Sequence, residues 1–159
     1  MTEGTPSAAV AEALRLLARR PLTEARLRQR LEQTFSPAAV EEAVERLKAL
    51  GYLDDRRFAQ VWAAQRERHR PKARWLIARE LVEQGIHPRI AQEAVQGGDD
   101  AVLARRCAQQ WAPRLQGLPR TTFLRRLYAY LRRRGFAPSL ARQVALEVWQ
   151  QTSLEAPRA

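Results

Sequence analysis

The chain has 159 residues, 45% hydrophobic and 28% charged, a balance typical of folded globular proteins rather than disordered ones. No apolar run approaches the ~20 residues needed to span a bilayer, and the N-terminal stretch lacks the basic-then-apolar order of a secretion signal. The single cysteine excludes an internal disulfide, so we expect a cytoplasmic protein, and the net charge of +11 favours a polyanionic partner.

Three helices are predicted in residues 1–51, over about 7–19, 23–33 and 36–50. Ser7 is predicted to cap the first helix, and Pro37 suits the first position of the third, where no amide hydrogen is needed. The residues predicted to face inward are Val10, Leu14, Leu17, Val40, Val44 and Leu47.

Three more helices are predicted in residues 52–97, over about 55–69, 72–84 and 88–96. Asp54 is a predicted N-cap, and Asp55 suits the positive end of the helix dipole. Phe58, Val61 and Trp62 are predicted to face inward. Adjacent carboxylates with no histidine or third acid nearby are more typical of caps than of a metal site.

The last three helices are predicted in residues 98–151, the second of them from about Arg120 to Arg134, and residues 152–159 are predicted to form a flexible tail. Leu103, Cys107 and Trp111 share a face of the first helix, so Cys107 is predicted to be a core residue and not a nucleophile. Because no phosphate-cradling loop or metal-ligand spacing is present, we predict a non-enzymatic protein without cofactor or metal.

A pattern of two helices joined by a glycine turn recurs at intervals of about fifty residues. Gly85 and Gly135 suit the left-handed position past a helix end, and Pro88 and Pro138 then open the next helix. A third copy lies around Leu27–Val40, one residue shorter where the glycine would stand. The fold predicted from this periodicity is an all-α tandem array of three three-helix repeats.

The basic residues are unevenly distributed along the chain. Residues 98–151 contain ten basic and three acidic residues, a net charge of +7. On the predicted helix from Arg120 to Arg134, the leucines and Tyr128 take the inner face. The residues left toward solvent are Arg125, Arg126, Tyr130, Arg132 and Arg133, and Arg134 ends the helix. Arginine pairs with an aromatic between them suit a phosphate backbone, so we predict a nucleic-acid or partner-binding surface here.

A second basic cluster spans a predicted helix end and the start of the next helix. We also assign five residues of this cluster to the predicted nucleic-acid or partner-binding surface: Arg66, Arg70, Lys72, Arg74 and Arg79. Trp75 lies outside the inward stripe of Ile77 and Leu81, and it is predicted to be either a binding aromatic or a wedge between repeats.

A family resemblance rests on three segments: LKALGYLDDRRFAQVW (Leu47–Trp62), the stretch from Arg74 through Leu81 to Gly85-Ile86, and LRRLYAYLRRRGF (Leu124–Phe136). They resemble the RecX family, bacterial regulators of the RecA recombinase. The resemblance implies an elongated, curved array that binds the RecA–DNA filament and inhibits its ATPase, recombinase and strand-exchange activities in DNA repair and the SOS response. We also expect a monomer that contacts single- or double-stranded DNA electrostatically, and the resemblance carries over no catalytic residues.

Two other functions fit parts of the sequence. Residues 22–53 resemble a helix-turn-helix ahead of a wing, as in winged-helix transcription regulators, although a wing would need two strands after Leu53. A helical scaffold associated with RNA or the ribosome would account for the charge alone. Operator footprinting tests the first alternative, and pull-down with and without nuclease tests the second.

Overall fold

The computed structural model describes residues 4–155, and within that range the chain forms nine α-helices and one 3₁₀ helix and contains no strand. The helices are α1 (Pro6–Arg19), α2 (Glu24–Glu32), α3 (Pro37–Ala49), α4 (Asp55–His69), α5 (Arg74–Glu83), α6 (Pro88–Val95), α7 (Asp100–Trp111), α8 (Arg120–Arg133) and α9 (Pro138–Glu155), with the 3₁₀ helix at Ala112–Leu115. The all-α prediction is therefore confirmed. The wing that the transcription-regulator alternative requires is absent from the described residues, because α4 begins two residues after Leu53.

The helix ends follow the predicted local chemistry. Pro37, Pro88 and Pro138 each occupy the first position of a helix, and Gly85 and Gly135 adopt φ of 89° and 90°, the left-handed region that favours glycine. The predicted cap of α1 is wrong, because the hydroxyl of Thr5, not that of Ser7, accepts the hydrogen bond from the Ala8 N–H. Pro6 allows this earlier start, since proline suits the first helical turn.

The chain divides into two compact units. Unit 1 comprises residues 1–62 and 78–94, and unit 2 comprises residues 63–77 and 95–159. The division passes through α4 and α5, so each unit contains part of the second predicted repeat. The repeat boundaries at residues 51, 97 and 151 therefore stay a prediction, and the last four residues of the predicted tail lie outside the described residues.

The core of unit 1 is formed by the helix stripes that the sequence indicates. Its fully buried members include Leu27, Leu31, Val40, Val44 and Leu47. The inner face predicted for α1 is partly wrong. Ala9 and Ala13 are buried there, Val10 and Leu17 are only half-buried, and Leu14 is 37% exposed. The larger Val10 and Leu17 instead pack against the edge of this core.

The core of unit 2 is larger and contains more aromatic side chains. Its buried members are drawn mainly from α7, α8 and α9 and include Leu103, Cys107, Phe123, Leu127, Leu131, Phe136, Val144 and Val148. Phe123 meets Trp149 edge to face at 5.1 Å between ring centroids. The predicted core role of Cys107 is confirmed, and burial raises the pKa of its thiol. The first part of α4 belongs to unit 1, and there the prediction for Val61 is wrong: it is 49% exposed, whereas Ala59 and, beyond the division, Ala63 are buried.

Each unit contains the same joint between two helix ends. In unit 1 the Asp55 carboxylate accepts from the Glu24 N–H at 2.9 Å, and the Thr23 hydroxyl donates to the Gln84 carbonyl at 2.6 Å. In unit 2 the Asp100 carboxylate accepts from the Arg74 N–H at 3.0 Å. Both aspartates thus cap the first turn of a helix that begins far away in the sequence.

The second half of the joint is a glycine turn packed against that capped helix. In unit 1 a Cβ on Gly85 would lie 2.5 Å from the Ala25 Cβ, and in unit 2 a Cβ on Gly135 would lie 2.5 Å from Cδ1 of Leu76. The Ala73 N–H also donates to the Arg134 carbonyl at 2.9 Å in unit 2. Glycine is therefore required at both turns for its backbone conformation and for its small size.

Candidate nucleic-acid interface

The whole net charge of the chain belongs to unit 2. Unit 1 contains twelve basic and twelve acidic residues, whereas unit 2 contains sixteen basic and five acidic residues and has a net charge of +11. A net positive charge of this size on one compact unit attracts polyanions over several ångströms and raises their association rate. Unit 2 is therefore the candidate location of a nucleic-acid interface.

The arginines of α8 are exposed, as the sequence indicates. Phe123, Leu127 and Leu131 bury one face of the helix. The exposed arginines of α8 are the four predicted ones, Arg125, Arg126, Arg132 and Arg133, together with Arg120 in the first turn. Arg125 lies two turns from Arg132, and Arg126 lies two turns from Arg133, so the four follow one side of the helix. Because α8 contains no acidic residue, this row presents uncompensated positive charge to solvent.

The prediction that Tyr130 faces solvent with these arginines is wrong. The Tyr130 ring is half-buried and stacks on Trp111, with 4.2 Å between centroids and 7° between planes. Burial raises the pKa of its hydroxyl. Tyr130 falls on the edge of the buried stripe, three residues after Leu127, and the large ring of Trp111 fills the space beside it. One face of Tyr130 is therefore already occupied by protein.

Arg134 connects two segments of unit 2. Its guanidinium donates to the Pro71 carbonyl at 2.9 Å and to the Arg70 carbonyl at 3.0 Å. The side chain is half-buried, whereas Arg70 is exposed. Arg134 therefore stabilises the chain reversal after α4, and the role in partner binding predicted for it stays a prediction.

The second predicted basic cluster is divided between the two units. Arg74 pairs with Asp100 in unit 2 at 3.3 Å, whereas Arg79 belongs to unit 1 and pairs with Glu83 at 3.3 Å. Arg66 and Lys72 are half-buried. Charges already paired with carboxylates gain less from a phosphate, because they must first give up their partners. Among these five cations, Arg70 is the one that is exposed and forms no ion pair within residues 4–155.

Trp75 contacts the Gly135 turn and is also exposed, and both roles that the sequence left open for it stay predictions. Its indole N–H donates to the Gly135 carbonyl at 2.7 Å, yet the residue remains 54% exposed. It therefore contacts the glycine turn with its edge and leaves much of its ring in solvent. The sequence signal for this was its position outside the buried stripe of α5.

Arg142 of α9 is a cation that the sequence analysis did not select. Its guanidinium carbon lies 5.7 Å from the centroid of the Tyr128 ring, a cation–π distance. Together with Arg125 it borders an open groove of about 310 Å³ with an apolar floor of Leu124, Ala145 and Leu146. Only the packing of α9 on α8 brings these residues together.

Metal and membrane sites are not found in the described part of the chain. No group of three or more histidine, cysteine, aspartate or glutamate side chains within residues 4–155 is placed to hold a metal ion. In the same range, no helix has the length and apolar character that crossing a membrane requires. The two aspartate pairs act as helix caps, with Asp54 accepting from the Arg57 N–H and Asp99 from the Ala101 N–H.

These features define an all-helical protein of the helical-repeat class. Two family models match it: the second three-helix domain of RecX over residues 54–95, and the first three-helix domain of RecX over residues 9–47. The chain belongs to the RecX family.

Individual relatives agree with this assignment. The chain is 33% identical to the regulatory protein RecX of Thermobifida fusca over 146 residues, which cover 89% of this chain and 79% of the relative. It is 34% identical to the regulatory protein RecX of Chlorobaculum tepidum over 139 residues, covering 86% and 85%. The crystal structure of RecX from Lactobacillus salivarius superposes with a TM-score of 0.78 at 17% identity, covering 91% of this chain and 97% of that one, and it supports the fold.

Proposed function

We propose that this chain is a non-enzymatic regulator that binds the RecA–DNA filament and inhibits its ATPase, recombinase and strand-exchange activities. Its membership of the RecX family supports a regulatory role. The observation that carries the proposal is the concentration of the net charge, +11, in unit 2, with a row of exposed arginines on α8. A DNA-containing filament is a polyanion that such a surface recognises.

The arginines of α8 are suited to phosphate because they are accessible and lack competing acids. Within residues 4–155, neither Arg125 nor Arg126 forms an ion pair or a hydrogen bond to protein. A guanidinium in this state can donate two parallel hydrogen bonds to a phosphate. The fold does not use these two side chains elsewhere, so their removal should affect binding more than stability.

The bound regulator would inhibit the filament if it restrained subunits that must move during ATP hydrolysis. Each filament subunit changes conformation between nucleotide states, and a protein attached to the DNA or to acidic filament surfaces restrains that movement. The same attachment occupies the space that incoming DNA needs for strand exchange. Both effects require binding to persist for longer than one cycle of ATP hydrolysis.

The test reverses three charges in each unit. In the unit 2 variant, Arg125, Arg126 and Arg133 become glutamate; Arg132 is kept, because its guanidinium donates to the Phe136 carbonyl and supports the adjoining turn. The matched control changes Arg19, Arg20 and Arg30 of unit 1 to glutamate, so that both variants undergo the same change in net charge. RecA ATPase on single-stranded DNA is titrated with each protein at two salt concentrations.

We expect the wild type and the unit 1 variant to inhibit, and the unit 2 variant to lose inhibition by more than tenfold. Three lost phosphate contacts would weaken binding strongly at low salt and also flatten its salt dependence. Equal inhibition by the folded unit 2 variant, or no inhibition by the wild type, contradicts the proposal. Inhibition at substoichiometric protein would indicate blocked filament growth, whereas inhibition only near saturation would indicate coating of the filament.

A further inference from the structure

The Gly135 turn holds an exposed tryptophan in a defined position. Trp75 lies in the first turn of α5, and its indole N–H donates to the Gly135 carbonyl at 2.7 Å. The hydrogen bond fixes the edge of the ring, but the residue is still 54% exposed. An aromatic ring held by its edge loses little conformational entropy when a second flat group stacks on its open surface.

The next carbonyl of the same turn holds an exposed arginine. Nη1 of Arg132 donates to the Phe136 carbonyl at 2.6 Å. A guanidinium has five N–H donors, so this bond orients the group and leaves other donors toward solvent. Carbonyls of two consecutive residues therefore position an indole and a guanidinium beside one turn.

The joint does not need an aromatic residue for its own stability. In unit 1 the residue fifty positions earlier is Ala25, whose Cβ packs against the Gly85 turn. There Nη2 of Arg26 donates to the Glu83 carbonyl at 2.9 Å, so a different side chain contacts that turn. An equivalent joint therefore closes with alanine in the position of Trp75, and the indole is available for another role.

The electrostatic surroundings favour a polyanion. The joint belongs to the unit with net charge +11, and exposed Arg70 and Arg133 lie on the segments that form it. Asp100, the acid that caps α5, is already paired with Arg74 at 3.3 Å. A flat aromatic surface among uncompensated cations matches a nucleobase attached to a phosphate, whereas an apolar peptide would gain nothing from the cations.

We propose that Trp75 and Arg132 form a binding site for single-stranded nucleic acid, in which one base stacks on the open face of Trp75 and Arg132 holds an adjacent phosphate. A duplex keeps its bases stacked inside, so only a single strand can offer a base to the ring. This site adds a specific contact to the proposed function. It rests on that function in one respect: the single strand would be the DNA of a filament.

The test measures direct binding without recombinase, so that it can fail separately from the proposed function. Trp75→Ala is compared with the wild type for binding to oligothymidylate, to oligouridylate, to an abasic oligomer with the same number of phosphates, and to a duplex. Tyr52→Ala is the matched control, because Tyr52 is a 60% exposed aromatic in unit 1, which has no net charge. Far-UV circular dichroism and thermal unfolding monitor the fold of each variant.

We expect Trp75→Ala to bind oligothymidylate about 5- to 100-fold more weakly, as for loss of one stacked base, and to bind the abasic oligomer and the duplex unchanged. If the site accepts both RNA and DNA, Trp75→Ala should lose affinity for oligouridylate by a similar factor. A loss confined to oligothymidylate would limit the site to DNA. Tyr52→Ala should bind like the wild type. Unchanged oligothymidylate binding by Trp75→Ala, or an equal loss on the abasic oligomer, overturns the proposal.

Two further measurements separate stacking from a structural role. Arg132→Gln should reduce the salt slope for oligothymidylate by about 0.7, the value for one single-strand phosphate, while Trp75→Ala leaves the slope unchanged. Trp75→Phe keeps a flat ring but loses the hydrogen bond to Gly135. Its affinity for oligothymidylate should therefore lie between those of Trp75→Ala and the wild type. Should Trp75→Ala fail to fold, saturating oligothymidylate must still quench wild-type tryptophan fluorescence, and the absence of quenching overturns the proposal.

Discussion

The two compact units solve one structural problem with the same device and differ almost entirely in charge. Each joins a glycine turn to the start of a helix that an aspartate caps from a distance, using Asp55 and Gly85 in unit 1 and Asp100 and Gly135 in unit 2. Yet unit 1 has no net charge and unit 2 has +11. The joint is thus constrained by backbone geometry, whereas the surface charge is free to differ between the units.

The units also show which parts of the joint are interchangeable. Unit 1 satisfies the Gln84 carbonyl with the Thr23 hydroxyl, whereas unit 2 satisfies the Arg134 carbonyl with the backbone N–H of Ala73. A buried carbonyl needs a donor, but the donor can come from a side chain or from the backbone. Three changes test how strictly each element of the joint is required.

The largest effect is expected from replacing the turn glycines. Gly85→Ala and Gly135→Ala each place a Cβ 2.5 Å from a packed side chain, at φ of 89° and 90°. Left-handed backbone and overpacking together should lower the free energy of unfolding by about 2–4 kcal/mol. Gly85→Ala should cost more, because the nearest atom is the Ala25 Cβ, which cannot rotate away, whereas the nearest atoms to Gly135 belong to the longer Leu76 side chain, which can change rotamer, with the Ala73 Cβ farther away at 3.1 Å.

Gly51→Ala is the matched control for this comparison. Gly51 also has a positive φ, 80°, but an added Cβ would meet no heavy atom within 4 Å among the described residues. Its cost should be confined to the backbone, roughly 1–2 kcal/mol. Urea unfolding of the three variants measures the difference, and an equal loss in all three would show that close packing at the joints is unimportant.

A smaller effect is expected from Thr23→Ala, which gives unit 1 the residue of unit 2. Thr23 is fully buried, and its hydroxyl donates to Gln84 while it accepts from the Arg26 N–H at 3.2 Å. Removing it deprives two backbone groups of partners, so the free energy of unfolding should fall by about 1–3 kcal/mol. Thr23→Ser should restore most of that stability in urea unfolding.

Thr5→Ala separates the tertiary contact from ordinary capping. Thr5 caps α1 at the surface through the Ala8 N–H alone, so its loss should cost about 1 kcal/mol or less. If Thr23→Ala costs no more than Thr5→Ala, the hydroxyl bond to Gln84 contributes nothing to the joint.

The local half of the fold could be predicted from the sequence, because helix ends depend on the residues at those ends. Proline at the first helical position and glycine in a left-handed turn are backbone requirements, and Pro138 and Gly135 lie where they were predicted. The joint could not be predicted in the same way. Thr23 meets Gln84 across 61 residues, and Asp55 was expected to interact with its own helix rather than to cap α2.

The candidate site shows the same division between local and tertiary information. The exposure of Arg125 and Arg126 followed from the apolar stripe of their own helix, so it could be predicted. The partners of Arg74, Arg134 and Tyr130 lie on other segments, and only the packed structure shows that these side chains are engaged. Residues at the edge of a stripe are the hardest to place, because a neighbour of suitable size decides whether they are buried.

The smallest effect is expected from replacing Asp55 and Asp100, which cap helices that begin far away in the sequence. Alanine removes the hydrogen-bond acceptor, whereas asparagine removes only the charge. Asp55→Ala and Asp100→Ala each leave a first-turn N–H without its acceptor and should cost about 1 kcal/mol. Asp55→Asn keeps an oxygen in place of Oδ1 and should cost less. Urea unfolding of the three variants compares the units directly, and a loss in only one would show that the two joints are not equivalent.

The pH dependence of Asp55→Asn then tests what its charge contributes. Burial raises the pKa of the Asp55 carboxyl above its ordinary value of 3.8, and this outweighs the lowering effect of the hydrogen bond from Glu24. The folded state therefore holds this proton to higher pH than the unfolded chain does. The resulting contribution to stability is fully present below pH 3.8 and is lost as pH rises through the folded pKa. Asparagine does not titrate, so the stability of Asp55→Asn relative to wild type should increase over that acid range and then stay constant. A difference that instead declines with rising pH would show that the ionised carboxylate stabilises the capped end of α2, and that attraction to the helix dipole exceeds the cost of burial there.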